Sequence, residues 1–231
     1  MTETLSLRAK IEQSPMGAYQ WMIVVMAAIM NLLDGFDVLA LAFTATAIRG
    51  EFGLTGIELG YLLSAGLFGM TAGSLFLAPL ADKIGRRPLL LMAVSLSAIG
   101  MLGSAFISQY QWLGFWRVIT GLGVGGILVG TNVITSEYSS RKWRSFAISV
   151  YAAGFGIGAV LGGMFAVMLQ GEYGWRSVFL AGAILTSLLL VVLFIWLPES
   201  IDFLTSKQPK NAEVRLNLIA KKIGLAGDWK L

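Results

Sequence analysis

Asp34 and Asp37 stand three residues apart in the run Asp34-Gly35-Phe36-Asp37, inside a stretch (residues 19–48) with no other charged residue. On a helix that spacing puts both carboxyls on one face. A charge near the middle of a bilayer costs at least ~2.5–3.5 kcal/mol on insertion scales, so intramembrane acids face a cavity or a partner. The chemistry open to them is the uptake and release of a proton. The chain has no histidine, so proton exchange near neutral pH falls to carboxylates held out of water. A cation of matching depth exists in Arg117. It lies about two turns into its own apolar run, roughly 9 Å at 1.5 Å per residue, while Asp37 and Asp34 sit roughly 12–20 Å from the same side. An arginine–carboxylate pair is the least costly way to hold either charge there; snorkelling of Arg117 to the interface is the competing placement. Asp34, Asp37 and Arg117 are therefore the expected proton-coupling set. Asn31, one turn before Asp34, is expected to line the same cavity.

The elements that must position these groups are apolar helices. Of 231 residues, 56% are apolar, too many for a soluble domain of this size. Charge is confined to short clusters, and the apolar runs between them are about 18–25 residues long, enough to span a bilayer as helix. The expectation is an all-α polytopic membrane protein. Its six spans lie near residues 19–48, 57–81, 89–108, 113–136, 145–169 and 177–197, between a polar tail (1–18) and a polar segment (198–231). The tail is polar and the first apolar run too long for a signal peptide, so no cleavable leader is expected. There is no cysteine, which excludes disulfides and thiolate metal sites. Neither a nucleophile–base pair nor a metal-ligand cluster stands out, which argues against an enzyme and for no cofactor beyond a coupling proton.

Loop charge sets the orientation. Arg8, Lys10, Lys83, Arg86, Arg87, Arg141, Lys142, Arg144 and the basic residues after Pro198 fall on one side; the other has Arg49 and Arg176, each close to an acid, Glu51 and Glu172. By the positive-inside rule both ends are cytoplasmic; the expected location is a plasma membrane, the bacterial inner membrane. The net charge of +4 then reflects topology rather than affinity for nucleic acid. Ala212, Val214, Leu216, Leu218, Ile219 and Ile223, interleaved with Arg215, Lys221 and Lys222, read either as an ordinary loop or as an amphipathic helix on the inner leaflet.

Three further patterns bear on the spans. In Leu80-Ala81-Asp82-Lys83-Ile84-Gly85-Arg86-Arg87-Pro88, Gly85 permits a tight turn, Pro88 suits the first turn of the next span, and Asp82 can pair with Arg86. Arg117 leads into Gly121, Gly123 and Gly125, and the fifth span carries Gly154, Gly158 and Gly162; small residues at this spacing let helices approach closely. Glu137 and Arg144 bracket the turn between spans four and five.

Together these stretches resemble the signature sequences of the major facilitator superfamily. The turn at Asp82-x-x-Gly85-Arg86-Arg87 is similar to its loop between spans two and three, with Ala78 where the family pattern has glycine. Arg117-x-x-x-Gly121-x-Gly123-x-Gly125 is similar to its fourth span, Gly174-Trp175-Arg176 to its link between spans five and six, and Leu197-Pro198-Glu199-Ser200 to its exit from span six. Asp34-Gly35-Phe36-Asp37 resembles the acid pair of the aromatic acid:proton symporters. The resemblance implies one six-helix half of a larger carrier, itself a 3+3 inverted repeat, with Asn31, Asp34 and Arg117 toward the substrate. It also implies that Asp82, Gly85, Arg86, Arg87, Glu137 and Arg144 form an inner gating cluster; an ordinary surface ion pair is the other reading of Glu137 and Arg144. The fifth span lacks the proline typical of antiporters, which leans toward symport. The expected partners are a small organic acid, membrane lipid and a second, C-terminal six-helix half, which this 231-residue chain would lack as a fragment or a self-associating half. A symporter for sugars or other metabolites, and a non-transporting half, remain the alternatives.

Overall fold

The computed structural model describes residues 7–225, 227 and 229; the start of the expected polar tail (1–6) and residues 226, 228, 230 and 231 of the last segment lie outside the described residues. Among the described residues every regular element is a helix. Six are long and apolar enough to cross a membrane: α2 (Ala18–Phe52), α3 (Gly56–Ile84), α4 (Arg86–Ala105), α5 (Tyr110–Tyr138), α6 (Arg144–Tyr173) and α7 (Arg176–Trp196). Three short helices, α1 (Leu7–Gln13), α8 (Ile201–Lys207) and α9 (Ala212–Ile223), lie at one end. Most of the long helices overrun their apolar stretches, because backbone hydrogen bonding continues into polar residues that carry no hydropathy signal.

The turns follow from local chemistry. Thr55 Oγ1 accepts from the Glu58 N–H at 3.3 Å and the Glu58 carboxylate accepts from the Thr55 N–H at 2.8 Å, a reciprocal cap that starts α3. Gly85 joins α3 to α4 at φ +102°, and a Cβ there would lie 2.6 Å from a carboxylate oxygen of Glu199, so conformation and space both require glycine. Pro88 falls in the first turn of α4, where no intrahelical donor is needed.

Helix α2 lies along α6, α3 lies along α5, and α4 bridges α5 and α7. The first two pairs are seams of near-bare backbone. On the α3–α5 seam, a Cβ on Gly69 would meet the Val118 carbonyl at 2.3 Å, one on Gly73 the Leu122 carbonyl at 2.3 Å, and one on Gly125 the Met70 carbonyl at 2.2 Å. On the α2–α6 seam, a Cβ added to Gly154, Gly158 or Gly35 would likewise overlap the carbonyl of Ala28, Leu32 or Phe155. The two sets superimpose in register. Ala28, Leu32 and Gly35 of α2 correspond to Val118, Leu122 and Gly125 of α5, a constant shift of 90; Gly154, Phe155 and Gly158 of α6 correspond to Gly69, Met70 and Gly73 of α3, a constant shift of 85. This is the inverted repeat: α2–α4 and α5–α7 use the same contacts twice.

The ends are closed by side chains from distant parts of the chain. At one, Arg176 donates to both oxygens of Glu51 at 2.9 and 2.7 Å, and the Trp175 ring N–H adds a third bond at 2.6 Å, tying α7 to α2. Arg176 thus pairs across the bundle rather than with nearby Glu172. At the other, basic end, α1, α8 and α9 cap the bundle by burying Leu7, Ile11, Leu204, Leu216 and Ile219 in its core. Glu199 Oε1 accepts from the backbone N–H groups of Arg86 (2.8 Å), Arg87 (3.0 Å) and Ser200 (3.0 Å), joining the start of α4 to the exit of α7. Tyr138, buried at the end of α5, donates to the Glu199 carbonyl at 2.6 Å. The final segment is helical, and α9 divides its apolar residues: Ala212, Leu216 and Ile219 face the bundle, Val214 and Leu218 face out.

Candidate functional site

The centre of α2 carries the acids. Gly35 lets α6 press against α2 between them, and Asp34 and Asp37 are both buried, at 2% and 1% exposure. Asp37 Oδ2 accepts from the Ser97 hydroxyl of α4 at 2.6 Å; its Oδ1 and the Oδ2 of Asp34 are buried without a hydrogen-bond partner among the described residues. An ionised carboxylate so placed is costly.

Arg117 of α5 is equally buried, at 3% exposure. Its Nη2 donates toward Ser104 Oγ (2.9 Å), Thr120 Oγ1 (3.0 Å) and Met101 Sδ (3.1 Å), and its guanidinium carbon stacks 4.8 Å from the centre of the Phe179 ring. Its Nη1 reaches the backbone carbonyl of Asp37 at 3.3 Å. The expected pair between guanidinium and carboxylate is therefore corrected: the two residues touch, but through the main chain. The reason is helix direction. Side chains lean toward their helix N-terminus and carbonyls point to the C-terminus. Because α2 and α5 run in opposite directions, Asp37 leans toward the basic end and Arg117 away from it, at overlapping depth.

Asp37, Arg117, Thr120, Gly121 and Val124 line one narrow cavity of about 30 Å³ together with Leu62 and Gly66 of α3, between α2, α3 and α5. Asn31 is not among its walls, against expectation. Its amide donates across the α2–α6 seam to the Tyr151 carbonyl at 2.8 Å and the Ala152 carbonyl at 3.4 Å. Asp34 also lies outside the walls of that cavity, in electrostatic range of Asp37 and Tyr151. The packing glycines divide by partner: Gly121 and Gly125 abut α3, Gly123 abuts Ala93 and Ser97 of α4, Gly154 and Gly158 abut α2, and Gly162 abuts the Phe36 ring.

The basic-end residues are partnered, but not with one another as a single cluster. Arg86 pairs with Asp82 at 2.5 Å. Arg87 donates to the Phe194 carbonyl at 2.7 Å. Arg144 pairs with Glu12 of α1 at 2.6 Å, and Arg8 pairs with Asp202. The Arg144 guanidinium holds the Glu12 carboxyl below its ordinary range, first by hydrogen bond and then by charge. Glu137 accepts instead from the Ser200 hydroxyl and the Ile201 N–H, both at 2.8 Å, because the last turn of α5 aims it at the start of α8. Glu137 makes no direct contact with Arg144, Asp82 or Arg86, but it lies in electrostatic range of Arg86, which pairs with Asp82.

Several groups at these sites are not marked by the motifs above. Ser97 and Ser104 are seven apart on α4, flanking Gly100 and Met101, a stripe visible as one helical face. Glu199 follows a helix-breaking proline with no base one helical turn away, a signal that it serves backbone donors. Glu12 has no comparable signal. Among the described residues no group of three or more potential metal ligands occurs.

Comparison with known proteins agrees with this architecture. A family model described as the Major Facilitator Superfamily matches residues 27–225. The chain is 36% identical to a gallate transporter of Pseudomonas putida over 204 residues, covering 88% of this chain and 45% of that protein. It is 34% identical to the 4-hydroxybenzoate transporter PcaK of Pseudomonas putida, covering 94% of this chain and 48% of that protein. The chain spans about half the length of the curated relatives it matches. Among solved structures, the proton:xylose symporter XylE bound to 6-bromo-6-deoxy-D-glucose aligns with a TM-score of 0.79 at 22% identity, over 91% of this chain and 50% of that one, a likeness of fold.

Proposed function

Since the chain belongs to the Major Facilitator Superfamily, we propose that it acts as the N-terminal six-helix half of a secondary carrier that brings aromatic or related organic acids inward with protons, and not as an enzyme. The observation that carries the reading is a pair of buried acids, each with an oxygen lacking a donor among the described residues, beside a buried arginine that shares a cavity with one of them. A carboxylate in that position is relieved of its cost by a proton. Asp37 and Asp34 are the proton carriers in this scheme. Arg117, held by neutral groups rather than by a carboxylate, keeps charge to offer a substrate carboxylate. The relatives named for gallate and 4-hydroxybenzoate favour an aromatic acid over a sugar.

A second six-helix half covers the cavity side, and rocking of the halves exposes the site alternately. Small residues on α3 and α6 and large exposed apolar ones such as Phe68, Phe76, Ile157 and Met164 suit burial against lipid and that half. The basic end faces the cytoplasm of a bacterial inner membrane, because arginine and lysine gather there. The partners are then an organic acid, lipid and the second half, with no role for nucleic acid.

The test is uptake of radiolabelled 4-hydroxybenzoate into vesicles holding the complete carrier under an imposed proton gradient. Asp37→Asn and Asp34→Asn are expected to lower gradient-driven accumulation at least tenfold while leaving downhill exchange measurable. Wild-type accumulation in both variants would refute proton coupling here. Competition by xylose but not by benzoate would shift the substrate class to sugars.

A further inference from the structure

The basic end holds a recess that the transport reading leaves unused. It lies between the exit of α7 and the outer side of α9, walled by Tyr19, Arg87, Trp196, Arg215, Leu218 and Lys222. Among the described residues one acid, Glu199, borders it, and its Oε1 is engaged by three backbone N–H groups. Arg87 has one Nη on the Phe194 carbonyl and a buried Nε without a partner among the described residues. Lys222 rests 5.3 Å over the Tyr19 ring, and among the described residues neither it nor Arg215 has a carboxylate in ion-pair range. Three cations thus line a recess bordered by a single described carboxylate, leaving it net positive.

A separate apolar groove lies beside the recess, the two meeting where Arg87 faces Phe194. Phe194, whose ring centre lies 5.9 Å from the Arg87 guanidinium carbon, forms the near end of a channel between α4 and α7 that runs past Leu91, Leu96, Ile99 and Val191. The groove opens sideways: Ile99 is 52% and Phe194 67% exposed. On α9, Val214 and Leu218 also face out beside Arg215. A positive recess with tyrosine and tryptophan at its rim, beside an apolar channel along two membrane-spanning helices, has the shape and polarity of a phospholipid.

We propose that the recess and the groove form one binding site for an anionic phospholipid of the leaflet at the basic end. Arg87, Arg215 and Lys222 hold the phosphate, Tyr19 and Trp196 sit at the glycerol level, and one acyl chain lies in the α4–α7 groove. Charge complementarity chooses this occupant over a zwitterionic lipid, and the groove chooses a lipid over a soluble phosphate. By linking α4, α7 and α9, the lipid fastens the end cap to the bundle.

Native mass spectrometry of the detergent-purified chain tests this without reference to transport, so its outcome is separate from that of the carrier reading. Phosphatidylglycerol is expected to be retained at least tenfold more strongly than phosphatidylcholine of the same chains. Arg215→Gln combined with Lys222→Gln should abolish that preference with the helical circular dichroism intact. Leu96→Trp, which fills the groove, should weaken long-chain phosphatidylglycerol several-fold while leaving a dihexanoyl analogue unaffected. Equal retention of the two lipids by the wild type, an unchanged preference in the double variant, or displacement by millimolar glycerol 3-phosphate would overturn the proposal. Should the double variant fail to fold, the wild-type preference and the groove variant decide the matter.

Discussion

The α2–α6 and α3–α5 seams share a backbone register and differ in what fills it. At one level Phe36 of α2 packs its ring on Gly162 of α6; at the equivalent level of the other seam the large residue is on the outer helix, where Leu77 of α3 packs on Gly126 of α5. One level further along, Asn31 of α2 reaches the Tyr151 carbonyl, whereas its counterpart Gly121 lies flush on Gly66, with a Cβ that would sit 2.2 Å from the Gly66 carbonyl. The acids follow the same rule: Asp34 and Asp37 occupy the slots held by Val124 and Ile127 in the other repeat. A duplicated scaffold therefore supplies the close packing twice, and the chemistry resides in the positions where the copies diverge.

The largest expected effect tests the shared register. Gly158→Leu and Gly73→Leu should each cost about 3 kcal/mol or more, at the top of the overpacking range, because each forces a side chain into a facing carbonyl. Denaturant unfolding in detergent, with loss of the folded monomer on size exclusion, would read this. Tolerance on one seam and collapse on the other would break the equivalence. A smaller effect sharpens the difference in filling. Phe36→Gly and Gly162→Leu should each destabilise, while the double variant, which transplants the other seam's arrangement, should recover about 1–2 kcal/mol relative to their sum. Strict additivity would show that the two residues do not share one slot. The smallest effect concerns Asn31. Asn31→Gly should lose about 1 kcal/mol, the net worth of its inter-helix hydrogen bonding. The reverse change, Gly121→Asn, should lose more, because the facing carbonyl leaves no room; the same unfolding assay ranks the two.

Much of this fold was legible in the chain. Apolar run length placed six helices, glycine and proline placed the turn at Gly85, and the glycine spacing of α5 and α6 marked the seams. The repeat also left a trace, since Ile29, Leu32 and Gly35 recur as Ile119, Leu122 and Gly125. The partners of the charged groups were less accessible. Depth put Arg117 level with Asp37, but depth along a helix axis does not record which way a side chain leans, and opposed helix directions separated the two charges. Arg144 found Glu12 because α1 docks at the basic end, a placement set by burial of Leu7 and Ile11 rather than by any charge pattern near Arg144. Ser97 meets Asp37 only because α4 crosses at that height.

The single oxygen of Glu199 that gathers three amide protons has a mechanical consequence. Tilting α4 or α7 separately at that end would strip backbone donors from a largely buried acceptor. The two rods are pinned at one point, so torque applied to either swings both, and the cap that follows α7 travels with them as a stiff crank.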